Sequence, residues 1–244
     1  EKELKKGARM AAVSMASNVT GEILPFEEIL GLSKEYGAVC LLDGAQTAGI
    51  VPINISSLDP DIFVFAGHKG PFGPQGIGGL YISERVTMTC PSAACEITPG
   101  EKSSIFPTYC DTGSAPMMNI AGLTTGIKWL EAKGWDELES HRKHLVETMR
   151  AGLSEISEIE TVGSKTHGRY TGAVSITSTD RSLIEIKEDL WKRGGIKGRL
   201  GFQCAPVAHE ALGTSETGTL RFSVGPMNTE EEVKLMLDIL EKTI

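Results

Sequence analysis

Two side chains of opposite charge stand immediately after apolar runs. Asp43 closes "AVCLLD" ahead of "GAQTAG", and Lys69 closes "DIFVFAGHK" ahead of the glycine-rich "GPFGPQGIGGLY". A run that is apolar on both faces suits an interior parallel strand, and ligands of such sheets gather at the carboxyl ends of the strands. Neighbouring strands would therefore turn an acid and an amine toward one cleft. Taken singly, each residue has a plainer explanation: Asp-Gly after a strand ordinarily makes a turn or caps a helix, and a loop lysine is ordinarily solvated. The glycines also invite a dinucleotide site, but that fingerprint opens a helix, whereas a strand-like "GGLYIS" follows here.

Jointly, the acid and the amine have a specific use. A lysine amine condenses with a carbonyl cofactor, and a carboxylate keeps a pyridine nitrogen protonated so that the ring accepts electrons, the two requirements of pyridoxal phosphate. That reading calls for further polar neighbours. Gln46 would reach the phenolic oxygen, His68 would donate to the phosphate, and Asn18 in "SNVTG" would lie on the same rim.

The elements that must position these groups alternate in the first half. Strand-like "MAAVSMAS" (10–17), helical "PFEEILGLSKEYG" (25–37), and strand-like 38–43, 61–67 and 76–83 predict an α/β fold with a mainly parallel, helix-covered sheet. Pro25 and Gly37 suit the two ends of the helix. Residues 84–113 show no period and read as loop; two amphipathic helices follow over 116–157, broken at Gly134. A strand at 170–178, a helix at 181–194 and a closing helix at 228–244 capped by Thr229 or Asn228 complete a small α+β unit. The expected division is residues 1–134 as a partial large domain and 135–244 as a small C-terminal domain.

With 244 residues, 40% hydrophobic and 23% charged, the composition is that of an ordinary globular protein. A net charge of −8 disfavours nucleic acid and anionic membranes as partners, so a small-molecule substrate is the better expectation. No apolar run approaches the roughly 20 residues of a membrane helix. Five cysteines without a C-x-x-C pair argue against a disulfide framework or a zinc ribbon and for a reducing, cytoplasmic setting. His141 and His144 share a helix face but lack a third ligand, and Trp129, Trp135 and Trp191 read as packing residues.

"SNVTGEILP", "LLDGAQTAG", "FVFAGHKGPFGPQGIGGLY" and "GTLRFSVGPMNTEEEV", in that order, resemble the class V aminotransferase superfamily of fold type I pyridoxal-phosphate enzymes, and "RLGFQCAP" narrows the resemblance to the cysteine desulfurases. The resemblance spans nearly the whole chain. It implies that Lys69 carries the cofactor, Asp43 partners the pyridinium, Gln46 approaches the phenolic oxygen, His68 binds phosphate, and Asn18 lies beside cofactor and substrate. Arg221 would pair with the substrate carboxylate as a guanidinium fork, with Arg199 near the same end; without the resemblance a surface or core-edge arginine is an equally good reading. Cys204 would accept sulfur from L-cysteine as a persulfide, leaving alanine. One cysteine among five is more often a small core residue, but the glycine-flanked compact loop and the following proline favour an accessible thiol.

In the same resemblance, "YCDTGSAPMMNIAGL" crosses a homodimer interface, with Gly113 and Ser114 touching the partner's cofactor phosphate; a simple helix cap explains the serine equally well. A sulfur-acceptor protein serving iron-sulfur clusters or thiolated cofactors would be the further partner. Two departures stand out. Ala66 occupies a position where the family commonly has a phosphate-binding hydroxyl, and the half-domain that precedes "SNVTG" in the family, with its ring-stacking histidine, has no counterpart. The chain is therefore expected to be the C-terminal portion of such an enzyme. Selenocysteine lyase, a class V aminotransferase with an incidental Cys204, and a non-catalytic dimerisation or binding fragment are the competing readings.

Overall fold

The computed structural model describes residues 1–86, 114–164 and 168–244. A short helix α1 (Lys2–Lys5) leads into a four-stranded sheet of β1 (Met10–Ser14), β2 (Val39–Asp43), β3 (Ile62–Ala66) and β4 (Gly78–Ile82) in that spatial order. The first three strands are parallel and β4 returns antiparallel to β3. Helix α2 (Phe26–Glu35) covers one face, where Met15, Phe26, Leu30, Cys40, Leu42 and Phe63 form the core. The mixed sheet and its helices agree with the predicted fold class.

Registry explains why the chemistry-bearing residues share an edge. Ser14 lies opposite Asp43, and Asp43 opposite Val64, so the segments that leave β1, β2 and β3 emerge side by side. A short helix α3 (Ile55–Leu58), capped by Asn54, separates β2 from β3. At the opposite edge, buried Asp61 accepts the Cys40 backbone N–H at 2.9 Å and a bond from Arg85 Nη2 at 3.2 Å, tying the start of β3 to β2. Helix α4 (Met117–Lys133) lies across the glycine-rich segment. It can do so because Gly126 presses against the Pro71 carbonyl so closely that a Cβ there would lie 2.2 Å from that oxygen.

Helix α5 (Trp135–Ser154) leads to a second sheet in the order β5 (Ile159–Thr161), β6 (Ala173–Ser178), β8 (Thr219–Ser223), β7 (Arg199–Gly201), all antiparallel. Helices α5, α6 (Leu183–Gly194) and α8 (Glu230–Thr243) pack on one side, burying Leu145, Met149, Ile176, Ile186, Leu220 and Leu240. Fully burying such a side chain stabilises the fold by about 1.5–3 kcal/mol. Local signals fix the helix ends: Ser182 caps α6, Gly195 follows it in the left-handed region, and Thr229 with Glu232 makes a capping box on α8.

The structure corrects some details. β1 stops at Ser14 because the Ser17 hydroxyl accepts the N–H groups of Val19 and Thr20 and turns the chain. The short α7 (Pro206–Leu212) and strands β5, β7 and β8 carry no expectation from the sequence. Trp191 is half exposed rather than packed, its ring facing the Lys197 ammonium at 5.1 Å. His141 and His144 serve α8, one against the Asn228 carbonyl at 2.9 Å and the other against Glu230 at 2.7 Å. The loop expected over 84–113, with Gly113, lies almost wholly outside the described residues.

Candidate active site

The Lys69 wall of the site is built by two loops that touch backbone to backbone. After β2, the Ala45 N–H donates to Asp43 Oδ1 at 2.9 Å and Ala48 N–H to the Gly44 carbonyl at 2.8 Å, winding a tight turn that carries Gln46. After β3, Gly67 N–H donates to Ile77 O and Gly73 N–H to Gly67 O, closing the glycine-rich segment into a compact loop that carries Lys69. The loops cross at Gly49 and Gly70. A Cβ on Gly70 would lie 2.2 Å from the Ala48 carbonyl oxygen, and one on Gly49 would lie 2.3 Å from the Gly70 carbonyl carbon, so neither position has room for a side chain.

The opposite wall belongs to the second sheet. On the face of that sheet turned from its helical core, Ser175, Arg221 and Arg199 stand in a row across β6, β8 and β7. The Ser175 hydroxyl donates to Val19 O at 2.5 Å, and Arg221 Nη1 donates to Asn18 O at 2.7 Å, so the row docks on the turn that follows β1. Arg199 Nη2 lies 3.0 Å from the Cys204 Sγ, and Cys204 itself is exposed. The Asn18 side-chain amide donates to the Gln203 carbonyl at 2.6 Å, joining the loop that carries Cys204 to the first sheet.

Between the walls lies a cavity of about 480 Å³. Lys69, Asn18, Gln46, Arg199, Arg221 and Cys204 all line it. Asp43 and His68 stand on the same strand edge but outside the lining: the Asp43 carboxylate is turned to its own loop, and His68 is exposed. Ser114 is exposed ahead of α4, whose N-cap is Pro116, so it caps nothing here. Arg142, Gln203 and Phe72 also line the cavity and were missed by sequence reasoning. Arg142 sits in the polar run "HRKH", which looks like a solvated helix face, yet its guanidinium is buried and donates to the Tyr170 and Thr171 carbonyls beside Glu139.

The electrostatics of this lining are one-sided. Lys69, Arg142, Arg199 and Arg221 face the cavity, and the described lining includes no Asp or Glu, although acids outnumber bases in the chain by 32 to 24. Burial pushes the guanidinium pKa of Arg221 down, and the neighbouring charge of Arg199 pushes it the same way. Arg221 Nε is buried with no partner, and the exposed Lys69 ammonium has no ion-pair or hydrogen-bond partner among the described residues. An unmatched buried guanidinium donor and an unpaired amine beside concentrated positive charge call for an anionic ligand.

The description Aminotransferase class-V matches residues 1–236 of the chain. The chain belongs to that family. Family members use pyridoxal phosphate. A protein of Pyrococcus abyssi named a probable cysteine desulfurase is 31% identical over 256 residues, covering 100% of this chain and 61% of that protein. One of the same name from Halalkalibacterium halodurans is 31% identical, covering 100% and 60%. The apo cysteine desulfurase of Thermococcus onnurineus superposes with a TM-score of 0.87 at 31% identity, covering 99% of this chain and 61% of that one. The chain thus spans about three-fifths of the length of these relatives.

The residues fit the family's cofactor. It is an anion with an aldehyde, and the cavity offers an amine without a counter-ion, amide groups from Asn18 and Gln46, and guanidinium donors. Asp43, which engages one oxygen in its turn, has the second oxygen available at the end of the adjacent strand.

Proposed function

We propose that this chain supplies the lysine, the substrate-carboxylate anchor and the sulfur-accepting thiol of a pyridoxal-phosphate-dependent cysteine desulfurase, which converts L-cysteine to L-alanine and leaves a persulfide on Cys204. The carrying observation is that Lys69, Arg221 and Cys204 line a single cavity, with Arg199 against the thiol. When bound, the cofactor serves as the electron sink that labilises bonds at the substrate α-carbon. Lys69 would hold it, Asp43 would keep its ring nitrogen charged, Gln46 and Asn18 would fix its ring, and His68 would take its phosphate; in a dimer, Gly113 and Ser114 would reach the partner's site.

The protein's own residues account for the rest. The Arg221 fork binds the substrate carboxylate and fixes the amino acid's orientation. Lys69, once its amine is free, takes the proton from the α-carbon. Cys204 then attacks the substrate sulfur: the S–S bond forms, the Cβ–S bond breaks, its electron pair stays with the substrate carbon, and protonation gives alanine. The net change moves one sulfur atom from free cysteine to Cys204, with no outside oxidant. A sulfur-acceptor protein serving iron-sulfur clusters or thiolated cofactors completes turnover, in a cytoplasmic homodimer whose protomer divides near Gly134 into large and small domains.

The test is sulfide and alanine release from L-cysteine with pyridoxal phosphate, accompanied by mass spectrometry of the Cys204 peptide. The chain should gain the mass of one sulfur at Cys204. Lys69→Ala should abolish alanine formation, and Cys204→Ala should abolish the persulfide. Alanine release indifferent to Lys69 would overturn the proposal.

A further inference from the structure

Cys204 and Gln203 are consecutive non-glycine residues in the left-handed region, with φ of 63° and 52°. Each such conformation costs free energy that neighbouring bonds must offset. Gln203 provides them. Its side chain is almost fully buried, at 2% exposure, and its Nε2 donates to the Arg199 carbonyl at 2.9 Å and the Gly201 carbonyl at 3.2 Å, with the Thr219 carbonyl at 3.4 Å. The backbone carbonyl of the same residue accepts the Asn18 amide. One side chain thus ties the cysteine loop to the end of β7 and, through Thr219, to β8.

We infer that Gln203 is a positioning residue for the reacting thiol. By gripping the Arg199 carbonyl while holding the backbone of the 203–204 pair left-handed, it sets the Cys204 Sγ against the Arg199 guanidinium and over the cavity mouth. Without the amide, the pair relaxes to ordinary backbone angles and the thiol swings away from the two arginines. The inference rests on the desulfurase reading only in taking Cys204 as the reacting thiol; the placement itself is a property of the loop.

The experiment compares alkylation of Cys204 by anionic iodoacetate and neutral iodoacetamide at one pH, followed by peptide mass spectrometry. A thiol held beside Arg199 and Arg221 favours the anion relative to free cysteine, and the ratio of the two rates reports that placement irrespective of general accessibility. Gln203→Met keeps the volume but removes the donors while leaving the left-handed strain at φ 52° in place. It should lower the iodoacetate preference by about tenfold, the low end of what an oppositely charged cleft confers, to the floor set by Arg199→Gln. Cys40, buried in the first core, is the internal control: its continued protection shows that the fold persists. A native ratio in Gln203→Met with Cys40 still protected overturns the inference. Absence of persulfide in the native chain would sink the desulfurase reading while leaving this ratio untouched.

Discussion

Gly70→Ala tests whether the crossing of two loops is what places Lys69. The added methyl group would lie 2.2 Å from the Ala48 carbonyl oxygen, where ordinary contact begins at 3.4 Å, and 2.6 Å from Ile50 Cγ1. The isoleucine tip can rotate, but the carbonyl belongs to the Gln46 turn and cannot. The loops must therefore part by about 1.2 Å, an overpacking of a kind that costs about 1–3 kcal/mol. Since Gly70 has no positive φ, the whole cost is steric. For a chain of this size that predicts a Tm lower by roughly 2–12 °C. A displacement of about 1 Å at a reacting group lowers turnover by about 10²-fold. Two glycines calibrate the result. Gly31→Ala on the exposed face of α2 meets nothing within 4 Å and should stabilise by about 0.5–1 kcal/mol. Gly195→Ala, also in open space but at φ 64°, should show only the left-handed penalty of about 1–2 kcal/mol. Urea unfolding followed by circular dichroism, with persulfide formation measured in parallel, separates them. Refutation would be a Gly70→Ala protein with native urea midpoint and native turnover.

Arg221→Lys keeps the charge but loses the fork; it should raise KM for cysteine about 10–100-fold, the equivalent of one charge-assisted hydrogen bond, in steady-state assays of the holoenzyme. Asp61→Ala leaves the Cys40 N–H and Arg85 without their shared acceptor and should cost about 2–3 kcal/mol in urea unfolding, with Asp61→Asn intermediate because it can still accept. The Lys234 ammonium, and secondarily His144, hold the Glu230 carboxyl at about 2, down from 4.5. Its folded pKa lies below the unfolded one, so its contribution is complete above 4.5 and disappears as pH falls toward 2; urea midpoints across that window should fall less steeply in Glu230→Gln.

The sequence made legible those parts of the fold whose signal is local. β2 and β3 were readable because interior parallel strands are apolar on both faces, and the helix of residues 26–35 because Pro25 and Gly37 bracket it. The three-residue strands β5 and β7 are too short to show a period, and "TLRFS" gave a motif before it gave a strand. Non-local facts were not legible. That Arg199 and Arg221 stand on adjacent strands with Ser175 follows only from antiparallel registry. Arg142 joins the cavity because the segment at Tyr170 and Thr171 packs over it, which no pattern within α5 announces. Asp43 shows the limit of the local argument from the other direction: the same carboxylate makes the turn that the plainer explanation required and stands at the strand end that the chemical one required.

The turn after β1 constrains how the site can work. From Asn18 to Gly21 it gives the second unit four attachments: the Asn18 amide to Gln203 O, the Asn18 carbonyl to Arg221, the Val19 carbonyl to Ser175, and the Gly21 carbonyl to Thr171 N–H. The contact is close enough that a Cβ on Gly21 would lie 2.0 Å from the Ala173 carbonyl oxygen. A rigid rotation of the arginine wall against the lysine wall would break several of these bonds at once, at about 0.5–1.5 kcal/mol for each neutral bond and more for the charged one. The same turn also reaches the cysteine loop, because the Asn18 amide holds the Gln203 carbonyl while the buried Gln203 side chain bonds the Arg199 and Gly201 carbonyls. The lysine wall, the two arginines and the Cys204 loop are therefore tied into one frame through the turn after β1, and the cavity between them keeps its shape only as long as those bonds hold.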